Sequence, residues 1–174
     1  MGDPQPIEFD TKILDPLKSK LNISIQEILA TQLCKRTKYL LVNLSSLDDN
    51  IKAQETLTEI DFGENINPFI CGTIVTSTSP TSDLVSRFFA PWLGVLEDPV
   101  CGSARTVLTV YWSRILNSKS ILHAYQKSSR GGYVDCELDE INQRVLLRGS
   151  AIIVLHCQLF LQQDQLDFLK KKSS

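Results

Sequence analysis

The sequence lacks the features that mark membrane-spanning or secreted proteins. No apolar run approaches the roughly 20 residues that a membrane-spanning helix needs. The amino-terminal residues, MGDPQPIEFD, lack the basic stretch followed by an apolar stretch that forms a secretion signal. We therefore expect a cytoplasmic protein with no membrane partner.

Cysteine pairs, histidine and excess charge are also scarce. Five cysteines are scattered without a CxxC pair, and two histidines accompany them, so zinc-binding spacing is absent. Free thiols fit a reducing compartment. The 18 basic and 20 acidic residues leave a net charge of −2, which offers no general attraction for nucleic acid. We expect no metal and no nucleic-acid partner.

The length predicts one domain, or one domain and part of another, and the pattern predicts an α+β fold. Residues 1–10 are interpreted as a linker, residues 11–162 as the domain and residues 163–174 as a polar tail. Short helices are predicted over residues 11–21 and after Ser45, and residues 24–29 as a further helical turn or a loop. Strands are predicted where β-branched or alternating apolar residues recur, over residues 38–44, 68–77, 83–90, 121–128, 133–138, 143–148 and 151–160.

One strongly apolar helix follows Cys101. Its apolar residues recur at helical spacing: Ala104, Val107, Leu108, Tyr111, Trp112, Ile115 and Leu116. Burying each large side chain contributes roughly 1.5–3 kcal/mol, so we expect the helix to be enclosed. The prediction is a mostly antiparallel, barrel-like sheet wrapped around this central helix.

Several chemical groups converge at the amino terminus of that helix. Asp98 precedes it, and Cys101, Gly102 and Ser103 form a small-residue corner. Backbone N–H groups without intrahelical partners and the helix dipole favour an anion there, glycine permits close approach and serine donates a hydrogen bond. Alternatively, Asp98 is a turn or capping residue, and Gly102 and Ser103 form an ordinary helix start.

Three further residues have two interpretations each. The dipole should lower the pKa of Cys101, or else Cys101 is a small buried residue. Arg105 lies in the first turn, where the dipole disfavours a cation; it compensates a bound carboxylate or pairs with Asp98, or it lies on the surface. Glu97 is expected to face solvent or to pair with a neighbouring base.

The stretch RFFAPWLGVLEDPVCGSA, followed by YWS, resembles the second-domain signature of the PhzF-like (phenazine biosynthesis-like domain) family. The later SSRGG and VLLRGSAIIVL match further family features. The resemblance implies half of a fold related to diaminopimelate epimerase, with the active site between two helix amino termini. Asp98 matches the family's active-site aspartate. Cys101 replaces the usual threonine and resembles by position the proton-transfer thiol of related epimerases, and Arg105 replaces a frequent histidine.

The resemblance implies an isomerase that moves a proton on a small carboxylated substrate without metal or organic cofactor. Asp98 and Cys101 would be catalytic, and Gly102, Ser103 and Arg105 would bind substrate. The chain resembles only the second half of the family, so the general acid/base of the first half is missing. The isolated chain is thus expected to be incomplete and weak or inactive. The alternative is a non-catalytic binding or regulatory half-domain that forms a homodimer or associates with a full-length relative.

Overall fold

The computed structural model describes residues 5–6, 25–47, 70–117 and 120–158, which form one mixed sheet and one long helix, an α+β arrangement. The helix predicted over residues 11–21 lies outside these ranges, and so does the polar tail. The helix predicted after Ser45 lies outside them from residue 48 onward. The elements are β1 (Gln5–Pro6), β2 (Ile28–Cys34), β3 (Tyr39–Leu44), β4 (Gly72–Ser77), β5 (Leu84–Phe89), α1 (Gly102–Leu116), β6 (Ile121–Gln126), β7 (Gly132–Asp139) and β8 (Arg144–Arg148).

The eight strands lie in the sheet in the order in which they occur along the chain. Five neighbouring pairs are antiparallel, whereas β3–β4 and β5–β6 are parallel. The prediction of a mostly antiparallel sheet is therefore confirmed. A parallel pair requires a crossover connection, and α1 supplies it between β5 and β6. This crossover brings the amino terminus of α1 back beside the sheet.

Strand β2 was not predicted. A 3-10 turn at Ile25–Glu27 matches the expected helical turn, but the chain then becomes extended and pairs with β3. Alternation along β2 is weak, because its burial pattern includes several half-exposed positions between the buried ones. Pairing with the strongly apolar β3 therefore determines its conformation, which local sequence does not reveal.

The predicted apolar face of α1 is confirmed for most of its length. Trp112 is fully buried and its Nε1 donates to Thr76 Oγ1 at 3.0 Å, while Asn43 Nδ2 donates to the Tyr111 hydroxyl at 2.9 Å. These bonds join the helix to β4 and β3 and fix its rotation. Ile115 is an exception, 49% exposed, because the helix ends at the left-handed Asn117 just beyond it and the sheet no longer covers this turn.

The strand predicted over residues 151–160 is wrong for the part that the structure describes. Residues 151–158 are exposed and have no regular secondary structure, and Ile152 and Ile153 are 84% and 91% exposed. Consecutive apolar residues suit a strand that is covered on both faces, and the described chain provides no such cover. Within the described ranges, no helix is long and apolar enough to cross a membrane.

Candidate functional site

The loop between β5 and α1 folds back onto β5 and brings Asp98 beside the helix. A 3-10 turn at Pro91–Leu93 ends at Gly94, whose φ of 77° is in the left-handed region that glycine adopts without strain. The backbone N–H of Asp98 then donates to Phe88 O at 3.0 Å. The loop is thus held to the last residues of β5 before the helix begins.

Gln126, at the end of β6, holds both ends of the turn that precedes the helix. Its side chain is fully buried; Nε2 donates to Asp98 O at 2.5 Å, and Oε1 accepts from Cys101 N at 3.0 Å. Sequence reasoning missed this residue. The alternation of buried and exposed residues along β6 could have identified it, because Gln126 follows Leu122 and Ala124 on the buried face of the strand.

The exposed surface at the helix amino terminus is formed by Gly102 and Ser103. Ser103 Oγ lies 2.9 Å from the Tyr39 hydroxyl oxygen and 3.2 Å from Cys101 Sγ. A Cβ added at Gly102 would contact only Leu147 Cδ1, at 3.8 Å, so packing does not require glycine at this position. The structure therefore brings the predicted Gly102 and Ser103 to one accessible face.

Cys101 is the N-cap residue of α1, but its side chain makes no capping hydrogen bond, and it is only 5% exposed. Burial raises the pKa of the Cys101 thiol above its ordinary value. The hydrogen bond with Ser103 and the nearby N–H groups lower this pKa by less, and the charge of Asp98 raises it further. The expectation of a lowered pKa is therefore wrong, because desolvation outweighs these hydrogen bonds, and the alternative of a small buried residue agrees with the structure.

Asp98 is half-buried and close enough to Cys101 for its charge to act on the thiol. Its backbone N–H and C=O are both hydrogen-bonded, but its carboxylate accepts no hydrogen bond from the described residues. Because Cys101 occupies the N-cap position, Asp98 is a turn residue rather than the helix cap. Its carboxylate remains available to a ligand.

Arg105 occupies neither of the protein environments predicted for it. Its side chain is fully buried, and Nη1 donates to Ser86 Oγ on β5 at 2.9 Å. Nε and Nη2 have no hydrogen-bond partner among the described residues, and burial lowers the pKa of the guanidinium. The expectations of a surface position and of a pair with Asp98 are wrong, because Arg105 lies on the helix face that also carries the buried Leu108 and Trp112.

Glu97 pairs with Arg87, so the predicted partnership with a base is confirmed, whereas Glu97 does not face solvent. Arg87 Nε donates to Oε1 at 2.7 Å and Nη2 donates to Oε2 at 3.0 Å, with the Glu97 side chain 3% exposed. The guanidinium also lies 5.0 Å from the centroid of the Phe89 ring. This two-point ion pair ties the loop to β5 and is structural.

The model of the phenazine biosynthesis-like protein family matches residues 4–157 of the chain. A phenazine biosynthesis-like domain-containing protein of Rattus norvegicus is 37% identical over 158 residues, covering 85% of this chain and 53% of the relative. An uncharacterized isomerase of Pseudomonas aeruginosa is 49% identical over 83 residues, covering 48% of this chain and 31% of that protein.

A crystal structure of a phenazine biosynthesis PhzF-family protein from Enterococcus faecalis superposes with a TM-score of 0.68 at 32% identity, covering 91% of this chain and 55% of that one. The chain thus spans about half the length of these longer relatives. Because the family model matches most of its residues, the chain belongs to the phenazine biosynthesis-like (PhzC/PhzF) protein family.

Proposed function

We propose that this domain binds the carboxylate of a small substrate at the amino terminus of α1, as one half of a cofactor-independent, proton-transferring isomerase. The observation that carries the proposal is the exposed helix terminus formed by Gly102 and Ser103, which lies beside Asp98, whose carboxylate accepts no hydrogen bond from the described residues. Unpaired first-turn N–H groups bind anions, and an anion held there is favoured by the helix dipole. The relative named as an isomerase supports the reaction class.

We further infer that the sheet wraps α1 as a barrel, as in one half of a diaminopimelate epimerase-like fold. Side chains from successive strands reach the helix, from Asn43 on β3 and Thr76 on β4 to Gln126 on β6. Leu147 on β8 lies near Gly102 on the other side. Contacts from strands between β3 and β8 support enclosure of the helix.

The proposed chemistry removes a proton from a substrate carbon and returns a proton to another position, while N–H donors stabilise the negative charge that develops. Asp98 is the candidate to orient the substrate or accept the proton. The raised pKa of Cys101 keeps its thiol protonated at neutral pH, so Cys101 is a candidate proton donor and not a candidate base. A stronger general base would have to come from outside this domain, so we expect weak or no turnover from the isolated chain.

Binding and turnover are tested together by NMR. A panel of small carboxylates is titrated into the labelled chain, and exchange of substrate carbon-bound protons is followed in D₂O. We expect saturable shifts of the Gly102 and Ser103 amide signals, reduced in Ser103→Ala, and any proton exchange reduced in Asp98→Asn. Asp139→Asn, at the end of β7 where the carboxylate accepts from Asn142, is the control. Absence of saturable shifts with every carboxylate would contradict the binding proposal, and exchange unchanged in Asp98→Asn would remove Asp98 from the mechanism.

The second candidate function is a non-catalytic half-domain that associates with a second copy or with a full-length relative. The observation that favours it is the exposed apolar segment Ile152–Leu155, in which each side chain is at least 76% exposed. Apolar patches of this kind mark contact surfaces. Sedimentation velocity over a range of concentrations should show self-association that weakens in Ile153→Lys. If wild type sediments as a monomer at all concentrations, with the same sedimentation coefficient as Ile153→Lys, self-association is contradicted.

A further inference from the structure

A cleft lies against the second turn of α1, between the turn that joins β2 to β3 and the start of β8. Its volume is about 350 Å³, within the range of roughly 300–1,000 Å³ that small-molecule pockets occupy. All three elements contribute polar side chains to its lining, namely Arg36, Thr37, Thr106, Gln143 and Arg144. Thr106 Oγ1 donates to Ser103 O at 2.7 Å, so the cleft begins one helical turn beyond the exposed Gly102–Ser103 face.

The walls of this cleft are basic, although the whole chain has a net charge of −2. The β2–β3 turn carries Lys35, Arg36 and Lys38, and no acidic residue occurs from residue 28 to residue 47. The sequence of α1 contains no acidic residue, and none occurs from residue 144 to residue 158. A recess lined by one sign of charge raises the local concentration of ions of the opposite sign. The cleft therefore attracts anions, which the chain as a whole does not.

The two arginines of the lining are available to a ligand. The side chains of Arg36 and Arg144 are exposed and form no hydrogen bond or ion pair with a described residue. Asp139 lies opposite Arg144 in the β7–β8 pair, but its carboxylate accepts two bonds from Asn142. These bonds lower the pKa of Asp139, and the charge of Arg144 lowers it by less. Glu140, in the same hairpin turn, does not line this cleft.

We propose that this cleft binds the phosphate group of a small phosphorylated molecule, held between the guanidinium groups of Arg36 and Arg144. A phosphate group carries a charge of about −1.5 to −2 at pH 7 and presents three acceptor oxygens, so it can pair with two guanidinium groups at once. A single carboxylate has one charge and two oxygens, which one guanidinium group satisfies. None of the lining residues belongs to the proposed isomerase site, so this binding does not depend on that function.

NMR titration of the isotope-labelled chain with inorganic phosphate tests the site, with sodium acetate and sodium chloride compared at matched ionic strength. We expect saturable shifts of the Thr37 and Gln143 amide signals that share one Kd, and weaker responses to acetate and chloride. Glycerol phosphate, a small phosphate monoester, should bind at least as tightly as inorganic phosphate. If glycerol phosphate did not shift these signals, a phosphorylated ligand would be contradicted.

Arg36→Gln and Arg144→Gln replace exposed side chains, so the fold should be retained. Each should raise the Kd for phosphate about three- to tenfold, and the double variant should show no saturation. Lys35→Gln is the matched control within the same turn, because it removes a neighbouring charge that does not line the cleft. Arg148→Gln is the control on β8, where Arg148 donates to Glu137 at 2.7 Å. Both controls should leave the Kd within about twofold of wild type, because exposed charges away from the ligand are screened.

Two results would overturn the proposal through the variants. One is an equal Kd in wild type and the double variant, and the other is a rise in Lys35→Gln as large as that in Arg36→Gln, which would indicate diffuse attraction. Phosphate shifts confined to Gly102 and Ser103 would also overturn it, while leaving the carboxylate site at the helix terminus intact. Loss of carboxylate binding at that terminus, with phosphate still shifting Thr37 and Gln143, would contradict the isomerase proposal alone.

Discussion

Gln126 and Arg105 are both fully buried polar residues beneath the start of α1, yet only Gln126 uses both ends of its side chain. The amide of Gln126 donates to Asp98 O and accepts from Cys101 N, whereas the guanidinium of Arg105 donates to one hydroxyl. A satisfied buried amide adds stability and specificity, but a buried cation with unused donors does not. Gln126 therefore holds the Asp98–Cys101 turn in place, whereas Arg105 leaves part of its hydrogen-bonding capacity unused among the described residues.

The largest effect is expected from Gln126→Met, which removes the partner of two buried backbone groups. Each unsatisfied group costs roughly 1–3 kcal/mol, so we expect the free energy of unfolding to fall by about 2–4 kcal/mol. Urea denaturation measures the change. Arg105→Met replaces a buried cation by an apolar side chain and should not destabilise the protein, so the contrast with Gln126→Met tests the comparison directly.

Gln26→Met is the matched control, because Gln26 is exposed in the 3-10 turn before β2. Its effect should lie within about 0.5 kcal/mol of zero. If Gln126→Met were as mild as Gln26→Met, the buried amide would not hold the Asp98–Cys101 turn as described.

An intermediate effect is expected from Glu97→Gln. This change removes the carboxylate that pairs with Arg87, and Arg105 has no such partner among the described residues. The two charge-assisted bonds are nearly buried, so the free energy of unfolding should fall by about 1–2 kcal/mol. The control is Glu137→Gln, whose 2.7 Å bond with Arg148 is exposed and should contribute less than about 1 kcal/mol. Equal losses in the two variants, measured by urea denaturation, would show that burial does not strengthen the Arg87–Glu97 pair.

The smallest effect concerns the thiols near Arg105. The pKa values of Cys101 and Cys136 are raised by burial, so the folded state retains these protons at pH values where the unfolded chain loses them. This contribution to stability is complete below the ordinary thiol pKa of about 8.5 and is lost as pH rises through the folded values. Urea denaturation between pH 7.5 and 10 should therefore show decreasing stability.

Cys101→Ala should reduce this slope, whereas Cys157→Ala, at an exposed position, should not. Iodoacetamide should also label Cys101 more slowly than Cys157 at pH 7.5. Faster labelling of Cys101 would contradict the raised pKa and return the thiol to the list of candidate bases.

Much of the fold followed from local pattern. The apolar spacing of α1 predicted its buried face, and β-branched runs predicted β3, β4 and β5, because these periods survive in any tertiary context. The strands predicted over residues 133–138 and 143–148 correspond to β7 and β8, which pair antiparallel. Strand β2 and the exposed residues 151–158 did not, because pairing and cover depend on neighbours far along the chain.

The candidate site was only partly predictable. The motif identified Asp98, Gly102 and Ser103, and the structure brings Gly102 and Ser103 to one exposed face with Asp98 close by. Of the two interpretations of Cys101, the small buried residue agrees with the structure, whereas the lowered pKa does not, because the helix dipole was weighed without desolvation. Arg105 lies on the same helical face as the buried Leu108 and Trp112. This spacing is visible in the sequence, but the charge of arginine led to the prediction of a surface position.

The family and the central helix could be predicted from the order of the amino acids, as could the position of Cys101, Gly102 and Ser103 at the start of that helix. Which of these residues are exposed to solvent depends on packing. Gln126 and Cys101 are 25 residues apart and Tyr39 and Ser103 are 64 apart, yet hydrogen bonds join each pair. Burial sets the protonation of Cys101 and isolates the charge of Arg105, and burial is a property of the packed sheet and helix together.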